Sequence, residues 1–460
     1  MLKKLLPVFS IAVLLATAGF GCKGLSKDQQ QAMRPVTVEY WTVFDDVDAL
    51  QSLLAKYRAD RPYVSVNLRQ ISSEEFNSRL LEALAEDKGP DIISIRNRWV
   101  KNYQSKLATM PASVKDTVVR VEKTTLGTNT VVKSSDVILP TALQIDREYV
   151  SAVKNDVIVN GKIYGLPLSL DTMALYYNKD LFDKAGIPEP PKNWEEFQSA
   201  AKKLTKYDKK TGKILQFGAA LGTGKNIAGF DDLLFLLFRQ SNVGFTDKSG
   251  QAIFHNRVGA DRLNAAFPIL NFYTDFANST RDTYSWSGEA PSSLDSFING
   301  SLGMFFGFNY HDAIIKARNP QLNFEIISML QLSPDQQPAN VANYWVQAVT
   351  EKSKNKNEAW NLINYLAHSK ATKEYLDATN RPSALRAYIG DQKEKPELAP
   401  FASQVLFAEN WYKGKNYESA MSALDQMVKE WLLPAPTPGR ENEYRQEVLN
   451  RAAARFNQTL

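Results

Sequence analysis

Hydrophobic positions change period several times along the chain, and each change marks an element. Val36 to Thr42 alternates around Val36, Val38 and Tyr40, which predicts a strand. Val47 to Tyr57 has helical spacing, Val64 to Leu68 alternates again, and Glu74 to Leu84 returns to the helical period. Asp91 to Ile95 is a short apolar run after the turn Gly89, Pro90, Asp91 and predicts a buried third strand. Strand, helix, strand, helix, strand predicts a parallel α/β sheet with right-handed crossovers. Further on, Met173 to Tyr177 is a run of strand formers entered through Gly165 and Pro167 and left at Asn178. Asp180 to Pro191 follows as a helical turn closed by Gly186 and stopped by prolines. Asn193 is placed to cap the next helix, with Glu195 and Glu196 in its first turn and Phe197, Ala200, Ala201 and Leu204 on its buried face. Between Ala108 and Asp156 no element is assigned, since Val118 to Val132 fits helix or strand equally; the final helix is Glu441 to Phe456.

Composition narrows the class. At 460 residues the chain exceeds the ~250–300 residues that one core sustains, so two or three domains are expected. A net charge of +5, with lysines and arginines scattered among acids, gives no stripe for nucleic acid. Lys3 and Lys4 precede an apolar run from Leu5 to Phe20 that ends at Gly21 and Cys22, a secretion-signal pattern too short for the ~20 residues of a membrane span. Cys22 is the only cysteine, which excludes internal disulfides and thiolate metal clusters.

The segment Gly161 to Ala200 carries a resemblance. Tyr164, Gly165, Pro167, Tyr177, Asn178, Lys179, Asp180, Leu181, Pro190, Pro191, Trp194, Glu195 and Glu196 stand in the order found where the chain first crosses between lobes in the family 1 extracellular solute-binding proteins of bacterial ABC transporters, the maltose-binding-protein-like group. Trp41, the Gly89 turn, FINGSLGMFFG from Phe297 and NYWVQAVTEKSKNKNEAW from Asn343 resemble later and earlier landmarks of the same family. The resemblance implies an α/β, two-lobe periplasmic-binding-protein type II fold, each lobe a mainly parallel sheet flanked by helices. It divides the chain into a signal peptide at 1–21, an anchor cysteine and polar tether at 22–35, one lobe at 36–169 plus 346–397, and the other at 172–345 plus 401–460. Hinge crossings fall near Asp171, Tyr344 and Ala399. Cys22 resembles a lipobox cysteine, although Gly19 stands where leucine is usual, and Ala16 to Ala18 offers ordinary cleavage instead.

The implied function is capture of a sugar or oligosaccharide by hinge closure and delivery to permease subunits served by a cytoplasmic ATPase. The protein is then a monomer held at the membrane by a lipid anchor, with no cofactor, no metal and no catalytic residue. Sugars need aromatic faces for C–H surfaces and polar groups for hydroxyls, because an unpaired buried hydroxyl costs ~1–3 kcal/mol. By position in the family pattern the candidates are Trp41, Asp45 and Asp46 after the first strand, Asn97 and Arg98 after the third, and Asp171 before the YYNKD motif. Phe308 and Tyr310 follow the glycine turn, and Tyr344 and Trp345 sit at the second crossing, where one of the two faces the cleft. Trp286, between two serines, reads as an exposed aromatic. Core or capping roles stay open for Asp46 and Phe308, and Phe230 reads as core.

Arg98 stands where sugar-binding relatives carry polar or acidic groups, which keeps a phosphate ester, a peptide or a polyamine open as the solute. A secreted glycoside hydrolase with two carboxylates is the rival class, but no local signature supports it. Gly222 to Asn226 lacks the first glycine and the final Ser or Thr of a phosphate loop. His255, His311 and His368 match no zinc or triad spacing, and Tyr176 with Tyr177 resembles an iron-binding tyrosine pair that the YNK pattern already explains.

Overall fold

In the computed structural model, which describes residues 26–124, 127–257, 264–333 and 337–460, the alternating segments become strands β1 (Val36–Thr42) and β2 (Val64–Gln70), and the apolar run becomes β3 (Ile92–Arg96). The predicted leader and Cys22 lie outside the described residues. β1 pairs in parallel with both neighbours, and the helices Val47–Asp60 and Ser73–Ala85 cross between them, burying Leu50, Leu53, Leu54 and Tyr57 and then Phe76, Leu80 and Leu84. The segment that fitted helix or strand is a long antiparallel hairpin, β4 (Ser113–Thr124) and β5 (Gly127–Ile138). Its β-branched valines favour the strand, and its position is fixed by side chains distant in sequence: the Lys115 N–H donates to Asn357 Oδ1 at 2.8 Å, and Asp116 accepts from Arg61 and Asn361.

The remaining principal strands are β6 (Leu166–Pro167), β7 (Ala174–Asn178), β8 (Lys206–Tyr207), β9 (Ile214–Ala219), β10 (Leu302–Gly307), β11 (Phe324–Ser328) and β12 (Trp345–Val349). One sheet has the order β2-β1-β3-β12-β6 and the other β8-β9-β10-β7-β11. Helices flank both, as expected, but the sheets are mixed where mainly parallel ones were expected. β12 runs antiparallel to β3 and β6, and in the second sheet only β9 and β10 are parallel. A crossover helix is what makes neighbours parallel. β6, β7 and β12 adjoin the points where the chain passes from one sheet to the other, so no crossover dictates their direction.

Two separate apolar cores result. Tyr40, Ile93, Tyr149, Val346 and Trp360 belong to the first, and Tyr176, Phe197, Phe306, Leu424 and Phe456 to the second. Leu170 lies in the first core and Met173 in the second; Val341 lies in the second and Ala342 in the first. Phe401 is in the second core, Val405 and Ala408 in the first, and Trp411 in the second again. The first two crossings lie side by side: the Asp171 N–H donates to Asn343 O at 2.9 Å, and the Asn343 N–H to Asp171 O at 3.0 Å.

Asn193 caps the helix Trp194–Leu204 by accepting the Glu196 N–H at 2.9 Å. That helix packs so closely on β9 that a Cβ at Gly218 would sit 2.1 Å from Ala201 O and 2.5 Å from Thr205 Oγ1. Gly218→Ala should therefore destabilise the protein by ~1–3 kcal/mol, the usual cost of overpacking, read as a lower melting temperature by calorimetry. An unchanged melting temperature would contradict the close approach.

Candidate functional site

The ends of β1, β3 and β12 face the first turn of the helix Asn309–Arg318 across the space between the cores. The loop after β1 brings Phe44 to this space, the helix brings Tyr310, and the start of β12 brings Trp345. Phe44 meets Tyr310 edge-on with centroids 4.7 Å apart and lies nearly parallel to Trp345 at 5.8 Å. Trp99, which packs against both cores, meets Trp345 edge-on at 5.9 Å. The cavity between the lobes, lined by Phe44, Asp171, Tyr310, Asn343, Trp345 and Arg381 among others, holds about 20 Å³. That is room for about one water, so this is a closed arrangement, and a sugar-sized solute enters only when the lobes part. A larger hollow of about 330 Å³ beside Phe235, Phe245 and Lys413 contains none of the predicted contact residues.

Asp171 sits at the helix end of this space. Its Oδ1 accepts from the Asn309 N–H at 3.1 Å and the Thr172 N–H at 2.8 Å, where the positive end of a helix favours a carboxylate. Burial nevertheless pushes its pKa from 3.8 up to about 7, against the pull of the Asn309, Thr172 and Tyr310 N–H groups and the charge of Arg381. The folded carboxyl therefore holds a proton that the unfolded one releases between 3.8 and about 7. Stability from this group is greatest below pH ~4 and falls as pH rises through 7. Asp171→Asn, which keeps the uncharged form, should gain melting temperature relative to the parent across that window; a pH-independent difference would contradict the burial of Asp171.

Arg98 bridges the two lobes. The short 3₁₀ turn Asn97–Trp99 directs it from the end of β3 to the helix Phe230–Gln240, where its fully buried guanidinium donates to Asp232 and lies 3.5 Å from Asp231. It also donates to the Tyr417 hydroxyl at 2.7 Å and lies over the Trp411 and Tyr417 rings, at 5.3 and 5.0 Å. Tyr417 donates in turn to Asp231, and Trp411 Nε1 to Asp232 at 2.8 Å. Burial acts to lower the Arg98 pKa, but Asp232, Tyr417 and Asp231 outweigh it and raise the value. Asp231 is pushed up to about 6 by burial and by the charge of Asp232. The guanidinium at position 98 is thus matched by carboxylates of the protein itself.

The other predicted residues are dispersed. Trp41 is buried in the first core. Asp45 is buried too, accepting from Thr42 Oγ1 at 2.7 Å and Gln347 Nε2 at 3.1 Å, and Asp46 caps the following helix by accepting the Ala49 N–H at 2.8 Å. Asn97 donates to Asp156 at 2.9 Å, as does the Tyr344 hydroxyl at 2.7 Å, so of the pair at the second crossing it is Trp345 that meets Phe44 and Trp99. Phe308 is core, its carbonyl accepting from Tyr176. Trp286, read from sequence as exposed, is 0 % exposed. The N–H groups of Ser285 and Trp286 both donate to Phe276 O, which turns the indole inward against Phe217 at 4.8 Å.

Asp171, Tyr310, Tyr344 and Trp345 are therefore the predicted residues that line one cavity, Tyr344 with its hydroxyl turned away to Asp156, and Arg98 bridges the lobes beside it. Phe44 was missed although it stands beside Asp45, where the alternation of β1 breaks off. Arg96 was passed over although it directly precedes Asn97 and Arg98, and Asp231, Asp232, Arg381, Trp411 and Tyr417 had no local signal, because each reaches the space from an element far away in sequence.

Among the described residues no helix is long and apolar enough to cross a membrane, and no group of three His, Cys, Asp or Glu side chains could hold a metal. Residues 43–373 match the family described as bacterial extracellular solute-binding protein. A putative binding protein of Brucella abortus is 30% identical over 212 residues, 45% of this chain and 47% of its own, so the chain spans about half the length of that relative. The arabinooligosaccharide-binding protein of Bacillus subtilis is 32% identical over 114 residues, 24% of each chain. Among solved structures, an ABC transporter solute-binding protein of Thermotoga lettingae bound with alpha-D-tagatose shares the fold with a TM-score of 0.67 at 19% identity, over 92% of this chain and 99% of that one.

Proposed function

Because the chain belongs to the bacterial extracellular solute-binding proteins, we propose that it is the capture component of an ABC importer and that its solute is a sugar or oligosaccharide held between the lobes. The observation that carries this reading is the convergence of Asp171, at a helix N-terminus, with Phe44, Tyr310 and Trp345 on the opposing faces of one cleft. Ring faces and one oriented acid are what a pyranose or furanose requires. The names of relatives that bind arabinooligosaccharide and tagatose support the same class.

Solute binds while the lobes are apart, and the closed form prevails because it holds the solute more tightly, which is all a population shift needs. The two lobes, between which the chain passes near Asp171, between Val341 and Ala342, and between Phe401 and Trp411, supply the two faces, and the closed monomer docks on its permease. No bond in the solute is broken. Cys22 carries the lipid anchor; mass spectrometry of the mature amino terminus should find a diacylated cysteine, and an unmodified Gly19 terminus would sink that part of the reading. A thermal-shift screen over sugars, phosphate esters and polyamines tests the whole: at least one sugar should raise the melting temperature, and stabilisation by polyamines alone would defeat the carbohydrate reading.

A further inference from the structure

The arginines around the cleft divide into two kinds. Arg98 is matched by Asp231 and Asp232. Arg96 and Arg381 are not. Arg96, the last residue of β3, stands opposite Trp345 in the β3–β12 register, and its contacts are a 3.4 Å hydrogen bond to Asn343 Oδ1 and the Tyr417 ring at 5.5 Å. Arg381 donates to Phe44 O at 3.0 Å and to the Tyr375 hydroxyl at 3.4 Å, and it covers the Phe44 ring at 4.6 Å. Among the described residues neither has a carboxylate within ion-pair distance. Both are half-buried; Arg96 is the register partner of Trp345, and Arg381 covers the ring of Phe44, which stacks on Trp345. Arg381 acts on the Asp171 carboxyl and Arg96 on that of Asp231 from beyond ion-pair distance, and burial raises both carboxyls, to about 7 and about 6, against that pull. Burial pushes the Tyr310 hydroxyl up to about 12, and Arg96 opposes this more than any other charge, in keeping with its place beside the same ring.

A neutral sugar closing into this cleft would strip water from two guanidinium groups and return no charge to either, a costly arrangement. An anion on the sugar removes that cost, and a guanidinium fork fits a carboxylate or phosphate in two parallel hydrogen bonds. We propose that the captured carbohydrate is an anionic sugar, whose carboxylate or phosphate is held by Arg96 and Arg381 while Phe44, Tyr310 and Trp345 take its ring. The inference rests on the carbohydrate reading above and adds the charge of the solute.

Titration calorimetry on the full chain with galactose, galacturonate, digalacturonate, glucose, glucuronate and glucose 6-phosphate tests it. An anionic sugar should bind at least tenfold more tightly than its neutral parent, with the uronates and the phosphate ester reporting which anion is read. That preference should shrink at least tenfold in Arg381→Gln and in Arg96→Gln and return in part in the lysine variants. Should the glutamine variants fail to fold, raising salt from 50 to 500 mM on the unaltered protein serves instead, since it should weaken the anionic sugar and spare the neutral one. Equal affinity for anion and parent, a preference that survives both substitutions, or affinity indifferent to salt would overturn the inference while leaving sugar capture intact. Binding of no sugar, neutral or anionic, would overturn both.

Discussion

Arg98→Met should weaken sugar capture by about a hundredfold or more while each lobe remains folded. Among the described residues the guanidinium is the cation within ion-pair distance of Asp231 and Asp232 across the lobe boundary, with Tyr417 and Trp411 completing its cage. Removing one partner of a buried charge group costs ~3–5 kcal/mol, because the partners left behind are neither solvated nor paired. Here the penalty falls on the closed form alone, since opening hydrates the two aspartates at once. Every ~1.4 kcal/mol taken from the closed state is tenfold in apparent affinity. Small-angle scattering should show the variant more extended than the parent at equal sugar concentration, and Asp232→Leu added to Arg98→Met should recover part of the closure. A variant as compact and as tightly binding as the parent would show that Arg98 does not hold the lobes together.

Truncating the aromatic group should be nearly as damaging. Phe44→Ala or Trp345→Ala removes one of two rings that lie 5.8 Å apart and nearly parallel, from opposite sides of the β1–β3–β12 edge. A central aromatic in a recognition site commonly contributes ~2 kcal/mol or more, about thirtyfold in affinity. Trp286→Phe supplies the contrast: that indole is fully enclosed in the second core against Phe217, so its loss should lower the melting temperature and leave affinity in place. Equal affinity in Phe44→Ala and the parent would remove the aromatic platform from the account.

What the sequence made legible follows from distance along the chain. The βαβαβ start, the strand at Met173 and the helix capped by Asn193 each depend on neighbours within a dozen residues, and each stands where the pattern places it. The hairpin from Ser113 to Ile138 was ambiguous because its valines satisfy either period until Asn357 and Asn361 hold it as strands. The site divides in the same way. Asp171 and Trp345 were readable because each adjoins a crossing, and alternation along a strand left one of Tyr344 and Trp345 for the cleft. Trp286 misled because flanking serines look solvent-facing, whereas Ser285 is buried and donates its Oγ–H to Ala219 O at 3.1 Å. Arg381 was invisible because it lies 337 residues from Phe44, whose carbonyl it binds.

Intrinsic tryptophan fluorescence tests the central claim most directly, because Trp345 and Trp99 stand in the cleft where the solute is to bind. Titrating a sugar that passes the thermal-shift screen should change the emission saturably, with most of that change lost in Trp345→Phe. Emission that no sugar alters, or a sugar response that Trp345→Phe leaves whole, would contradict capture between the lobes.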